Sequence, residues 1–187
     1  MSDNIKNNNY ILSIDPALST TGYAVIDIDT LELVHADKFI TSPKESDDVR
    51  INSIVAKLFS IAEIYDIKHV ILEDGFLGCN PKTCIQLATL RGAIIGVFNH
   101  CNYDVKHMLP TEIRKHLECG GNAKKDEVAQ VINNIYHNNN IIQRIGPYSD
   151  KQNKNKTSDI YDAISIGVAF VKNHKRSIAN DDESATK

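Results

Sequence analysis

Hydrophobic and polar positions divide this chain into short β-type runs near its start and helical stripes after them. Tyr10 to Asp15, YILSID, is an apolar run stopped by an Asp-Pro pair, which biases the backbone away from helix and closes a buried strand. Thr21 to Ile28, TGYAVIDI, and Leu31 to Thr41, LELVHADKFIT, are β-rich and joined by the link Asp29-Thr30, so the three runs predict an antiparallel meander. Cap-type residues from Ser42 lead into Ile51, Ile54, Val55, Leu58 and Ile61 or Ala62, a helical spacing. HVILED, His69 to Asp74, reads as a short buried strand ending in two acids, followed by the loop GFLGCN. Asn80 and Pro81 suit the N-cap and first turn of a helix whose body, CIQLATLRGAIIGVF, is almost wholly apolar. Such a helix should be central, packed on the sheet and on a partner subunit.

Further along, Asp104 to Met108 predicts a strand, PTEIRKHL a short helix, and ECGGNAKKDEVAQVINNIY a loop and helix. NNIYHNNNII up to Arg144 reads as irregular, and IGPYSDKQNKNKT as a linker without a packing pattern. The last patterned segment is TSDIYDAISIGVAF, Thr157 to Phe170, with Ile160, Ala163, Ile164, Gly167, Val168 and Val171 on one core-facing stripe. Three strands followed by alternating helices and strands imply an α/β domain with a mixed sheet. It is expected over residues 10–172, between flexible tails at 1–9 and 173–187.

Composition adds limits. The 42% hydrophobic and 24% charged fractions are those of a globular protein large enough for a full core. No run approaches a membrane span and SDNIKNNNY lacks a signal-peptide core, so an intracellular protein without a membrane anchor is expected. Cys79, Cys84, Cys101 and Cys119 include no CxxC pair and read as reduced thiols. The net charge of −3 argues against a nucleic-acid partner until its distribution is considered. Lys106, Arg114, Lys115, Lys124 and Lys125 oppose only Glu112 and Glu118 between residues 106 and 125, and a second basic run spans Arg144 to Lys156. Each run is either a solvated loop or a local basic surface.

Four carboxylates supply the candidate chemistry. Asp15 ends the first strand and Glu73 lies near the end of the fourth; if these strands are parallel neighbours, the acids emerge side by side where ligands gather in open α/β sheets. Asp159 and Asp162 lie one turn apart at the head of the last helix and can reach the same spot. Clustered acids repel and resist ionisation unless a cation arrives, and an oxygen-only set suits Mg²⁺ or Mn²⁺. Two such ions serve in-line displacement at phosphorus, one activating water and the other steadying the leaving oxygen. Taken singly, Asp15 could start a turn, Glu73 could pair with a lysine and Asp159 could serve as a helix N-terminal charge. Asp162, inside an apolar stripe, needs a partner. It is expected to lie deeper than Asp159 and to be the less replaceable of the two.

Together these residues resemble the RuvC-like Holliday junction resolvases, and within them the poxvirus resolvase branch. IDPALSTTGYAVI is similar to the first motif, with Asp15, Thr21 and Gly22; VILEDGF to the second, with Glu73 and the aromatic Phe76; SDIYDAISIGVAF to the last, with Asp159 and Asp162. RKHLECGGNAKKDEV resembles the basic segment, matching Arg114 and Lys125 to its two DNA-contacting lysines, with Lys115 and Lys124 beside them. Two departures stand out: Ala17 replaces a glycine after Asp-Pro, which bears on that turn, and Asp74 replaces a glutamine of bacterial members, either as an outer acid or facing solvent.

The resemblance implies an RNase H-like fold with a five-stranded mixed sheet, three antiparallel strands opening it and parallel strands following. It implies a homodimeric endonuclease that nicks four-way junctions, or branched and concatemeric viral replication intermediates, in pairs. Two Mg²⁺ per active site are implied, with Mn²⁺ as a substitute, held by Asp15, Glu73, Asp159 and Asp162; Phe76, Arg114, Lys115, Lys124 and Lys125 would contact branched DNA. A host-cytoplasmic setting and no nucleotide cofactor go with it. Phe76 either stacks at the branch point or anchors its loop in the core. Two other readings are an actin-like phosphotransferase, which would need a second phosphate loop and domain, and a junction-binding scaffold without chemistry.

Overall fold

A computed structural model describes residues 9–74, 80–120, 122–146, 148 and 151–185, with side chains of 151–156 and 180–185 excepted. Strands β1 (Tyr10–Asp15), β2 (Thr20–Asp27) and β3 (Leu33–Ile40) form the expected antiparallel meander. Its first turn accommodates Ala17 without left-handed backbone, and Thr21 Oγ1 donates to the Ala17 carbonyl at 2.7 Å. Asp27 Oδ1 accepts the Asp29 and Thr30 amides at the second turn, an Asx-type closure. Strands β4 (His69–Glu73) and β5 (Asp104–Met108) run parallel to β1, giving the order β3-β2-β1-β4-β5.

Period-2 alternation sorts the strand side chains to two faces. Leu12, Ile14, Val25, Val70 and Leu72 meet helices α1 (Asp47–Ile64) and α2 (Pro81–His100). Ile11, Ala24, Ile26 and Ile71 meet α3 (Pro110–His116), α4 (Lys125–Ile135), α5 (Asn140–Ile145) and α6 (Lys151–Ala185). Ser46 and Asn80 cap α1 and α2, their side chains accepting the Val49 and Thr83 amides. Among the described residues, no helix is long and apolar enough to cross a membrane, and Cys84, Cys101 and Cys119 are outside any disulfide.

Three expectations change. Helix α6 begins at Lys151, inside the expected linker, and continues through residues 173–185, expected as a flexible tail. Apolar periodicity marks only its buried middle; no proline interrupts the flanks, and a packed helix propagates outward one hydrogen bond per residue. The polar stretch before it contains α5, capped by Asn139 and anchored by buried Ile142. Helix α2, expected to be central, buries only Leu90, Ile94 and Phe98.

Candidate metal and nucleic-acid site

Parallel pairing of β1 with β4 puts Ile14 beside Leu72, so the next residues, Asp15 and Glu73, leave the sheet side by side at its carboxyl edge. Helix α6 supplies the other two acids and is held against the sheet at two close approaches. A Cβ on Gly22 would fall 1.9 Å from the Asp159 carbonyl oxygen, so only glycine lets the helix backbone lie directly on β2 there. One turn farther, buried Ser13 donates its Oγ to the Ala163 carbonyl at 2.8 Å, next to Asp162. The whole sequence stripe, Ile160, Ala163, Ile164, Gly167, Val168 and Val171, faces this packing, and Tyr161, Ile166 and Ala169 are buried too. Packing on both sides therefore orients the aspartates.

Asp15, Glu73 and Asp162 line one cavity of about 120 Å³ with Arg114, Lys125 and Ser165. Asp159 does not line it; its carboxylate turns to Lys38 on β3, 3.5 Å away. The expected difference in depth is absent, since both side chains are 26% exposed. What separates them is direction.

Burial, followed by the charges of Asp162 and Glu73, pushes the Asp15 carboxyl up to about 8. Burial and Asp162 also raise Glu73, against the pull of Lys125, Arg114 and Arg91. Asp162 is raised by burial although Lys125 opposes it. Burial alone would lower the Lys125 ammonium, but Asp162, Asp15 and Glu73 together hold it above its usual value. Lys125 donates to Asp162, yet its side chain is 67% exposed, so water screens the pair and it adds little stability.

Cations reach the site from two local structures. Helix α3 starts at Pro110, with the Leu109 amide bonded to Glu112, and its second turn presents Arg114 to the cavity. Lys125 is the first residue of α4, after a turn closed by the Ala123 amide on the Gly120 carbonyl. Lys115 and Lys124 are exposed and do not line the cavity, so the structure brings in only half of the expected basic set. Phe76 and Cys79 lie outside the described residues.

Arg91 was not singled out by the sequence reading. It donates to the Glu73 carbonyl and to Asp74, and His107 Nδ1 is 3.5 Å from Asp74. Asp74 is thus an ion-pair partner rather than a solvent-facing acid. Its signal was in plain view: Arg91 is the lone charge in CIQLATLRGAIIGVF.

The donor set fits a hard divalent cation: all oxygen, partly buried, mutually repelling, and with an ammonium drawn into it. Among the described residues no three His, Cys, Asp or Glu side chains form, as they stand, a group able to hold a metal ion. Lys125 instead supplies the compensating charge.

A mixed sheet of this order between two helical layers, with acids at the ends of its central parallel strands, is RNase H-like. Within that fold the family is defined by sequence: residues 11–170 match Crossover junction endodeoxyribonuclease RuvC, and the chain belongs to that family. It is 27% identical over 166 residues to the RuvC of Ehrlichia ruminantium (strain Welgevonden), spanning 86% of this chain and 95% of that one. With the RuvC of Helicobacter acinonychis (strain Sheeba) it shares 30% over 161 residues, 85% and 94% of the two chains. The fold matches T. thermophilus RuvC in complex with Holliday junction substrate at a TM-score of 0.72, 18% identity, 90% of this chain and 96% of that one. Fowlpox virus resolvase in complex with Holliday junction DNA gives 0.53 at 20% identity, over 88% and 97%. By fold, the bacterial protein is the nearer of these two.

Proposed function

We propose that this chain is a divalent-metal-dependent endonuclease that resolves four-way DNA junctions by paired, symmetric nicks. One observation carries the reading: three acids and two cations from five different elements converge on a single cleft at the carboxyl edge of the sheet. Asp15, Glu73 and Asp162 would hold Mg²⁺, or Mn²⁺ in its place, with Asp159 turning in from Lys38 to complete a two-ion site. Bound there, such ions supply an activated water and charge compensation at the leaving oxygen. Arg114 offers a fixed guanidinium fork to a phosphate, and Lys125, released from Asp162, becomes free to meet the same backbone. Phe76 enters the reading from its motif alone, as the aromatic that stacks at the branch.

A homodimer belongs to this reading because a two-fold assembly sets one cleft on each of two strands of a two-fold substrate. The poxvirus side of the resemblance adds a narrower version, with branched or concatemeric viral intermediates in host cytoplasm as the target. The fowlpox likeness supports it less than membership of the RuvC family supports junction resolution itself.

The deciding experiment incubates a mobile four-way junction with Mg²⁺ and strand-specific end labels. Paired nicks at symmetric positions, abolished by EDTA, are expected; random or single nicks would count against the reading. Asp15→Asn and Glu73→Gln are expected to stop cleavage while junction binding persists. Asp162→Asn should cost more than Asp159→Asn, because Asp162 lines the cleft and Asp159 does not.

A further inference from the structure

Behind Glu73, outside the residues that line the site cleft, stands Arg91. This residue lies mid-way along α2, its side chain only 13% exposed. Both ends of its guanidinium are engaged, Nη1 with the Glu73 carbonyl and Nη2 with Asp74 Oδ1. His107 on β5 adds its Nδ1 at 3.5 Å from each of Asp74 Oδ1 and Arg91 Nη2. From the other side, the Asp74 amide donates to the Met108 carbonyl at 2.8 Å. The end of β4 is therefore tied to α2 through a charged fork and to β5 through the backbone.

The placement matters because Glu73 is the last residue of β4, paired with Met108 on the β5 side but lying past Ile14–Leu72, the last β1–β4 pair, so the ladder holds it from one side. A carboxylate at a strand end points only as accurately as the peptide that bears it. We infer that Arg91 and Asp74 form a brace that fixes the direction of Glu73, making both positioning residues for the cleavage reaction. The inference rests on the nuclease reading above.

A phosphate contact is the alternative role for an arginine in this place. A second cleft of about 270 Å³, lined by Asp15, Glu73, Asp74, Arg91 and Arg114, does open next to it. The ion pair argues for the brace: Asp74 neutralises Arg91 and accepts from Nη2 while the Glu73 carbonyl accepts from Nη1, whereas Arg114 lines both clefts with no carboxylate bound among the described contacts. In this chain the acid next to Glu73 spends the arginine inside the protein.

The test compares Arg91→Met, Arg91→Lys and Asp74→Asn with the wild type in three measurements: single-turnover cleavage of the four-way junction, junction affinity in EDTA, and Mn²⁺ binding to the protein alone by calorimetry. Arg91→Met keeps the bulk and loses both bonds. It should slow cleavage about 100-fold and weaken Mn²⁺ binding about 10-fold, with junction affinity in EDTA unchanged within about 2-fold. Arg91→Lys, which can keep one bond, should fall between. Asp74→Asn leaves the carbonyl bond and should lose about 5-fold in both cleavage and Mn²⁺ affinity. Weaker junction binding with Mn²⁺ affinity intact would make Arg91 a DNA contact and overturn the brace. Unchanged cleavage and Mn²⁺ affinity in Asp74→Asn would overturn it as well, and that variant decides the matter if Arg91→Met does not fold. Wild-type protein that binds Mn²⁺ but leaves the junction uncut counts against the nuclease reading alone, and the calorimetric arm still judges the brace.

Discussion

Helices α2 and α6 have similarly apolar bodies, yet they sit in opposite situations. Between residues 160 and 171, α6 is buried all round except at Asp162 and Phe170, pressed between the sheet and the helices α3 to α5. Helix α2 buries a single row, Leu90, Ile94 and Phe98, and leaves Ile85 67% and Val97 38% exposed. The glycines follow the same division. Gly22 and Gly167 are where sheet and α6 touch, and a Cβ at either would come within 2.7 Å of a neighbour; Gly92 and Gly96 on α2 face open space. Apolar content alone thus does not rank helices by burial. The number of elements packed on each does, and Asp159 and Asp162 ride on the more enclosed of the two.

That contrast can be broken most forcefully at Gly22. Gly22→Ala should force the α6 backbone off β2, costing about 3 kcal/mol or more in denaturant unfolding; a loss below about 1 kcal/mol would mean the helix is free to shift. Next comes Asp15→Asn. The folded-state carboxyl is raised to about 8 from an ordinary 3.8, so between those pH values the folded protein holds a proton that the unfolded chain has released. Stability of the metal-free protein must therefore fall as pH rises through this window, with the full penalty present above about 8. Asparagine removes the penalty, so thermal melts in EDTA should show a gain that grows with pH and reaches on the order of 2 kcal/mol near pH 8. A gain that is the same at pH 4 and pH 8 would show that the carboxyl is not raised.

Smaller effects belong to α2. Gly92→Ala should stabilise by about 0.5–1 kcal/mol, the helix-propensity difference with nothing in the way. Ile85→Gln with Val97→Gln should leave monomer stability within about 0.5 kcal/mol, as exposed positions do, and should reduce self-association in sedimentation only where the proposed homodimer uses this uncovered face. Loss of folding in that double variant would place the two side chains in the core after all.

Much of the site was legible because its signals are local. A strand that runs apolar and stops at Asp-Pro, a strand that stops at Glu73, and two aspartates one turn apart each show within a few residues. Asn80 and Pro81 marked the start of α2 for the same reason: capping is satisfied by neighbours in sequence. Arg91 showed as the lone charge in an apolar helix body, but its partners did not, because they depend on how α2 is rotated against β4. Lys38 was hidden because its link to Asp159 crosses from the far side of the meander. The length of α6 was missed because helix continues into solvent, where apolar spacing has nothing to report.

By itself, the sequence determined the strands, most of the helices, the four acids and the family to which they belong, since periodicity, turn chemistry and motif order are written in short stretches of chain. Only the tertiary structure decided that Asp15, Glu73 and Asp162 share a cleft while Asp159 turns to Lys38, that Lys125 enters it and Lys124 does not, and that Asp74 is bound to Arg91. Those outcomes depend on distances between segments far apart along the chain, set by packing at Gly22, Ser13 and Gly167. No local pattern encodes such distances.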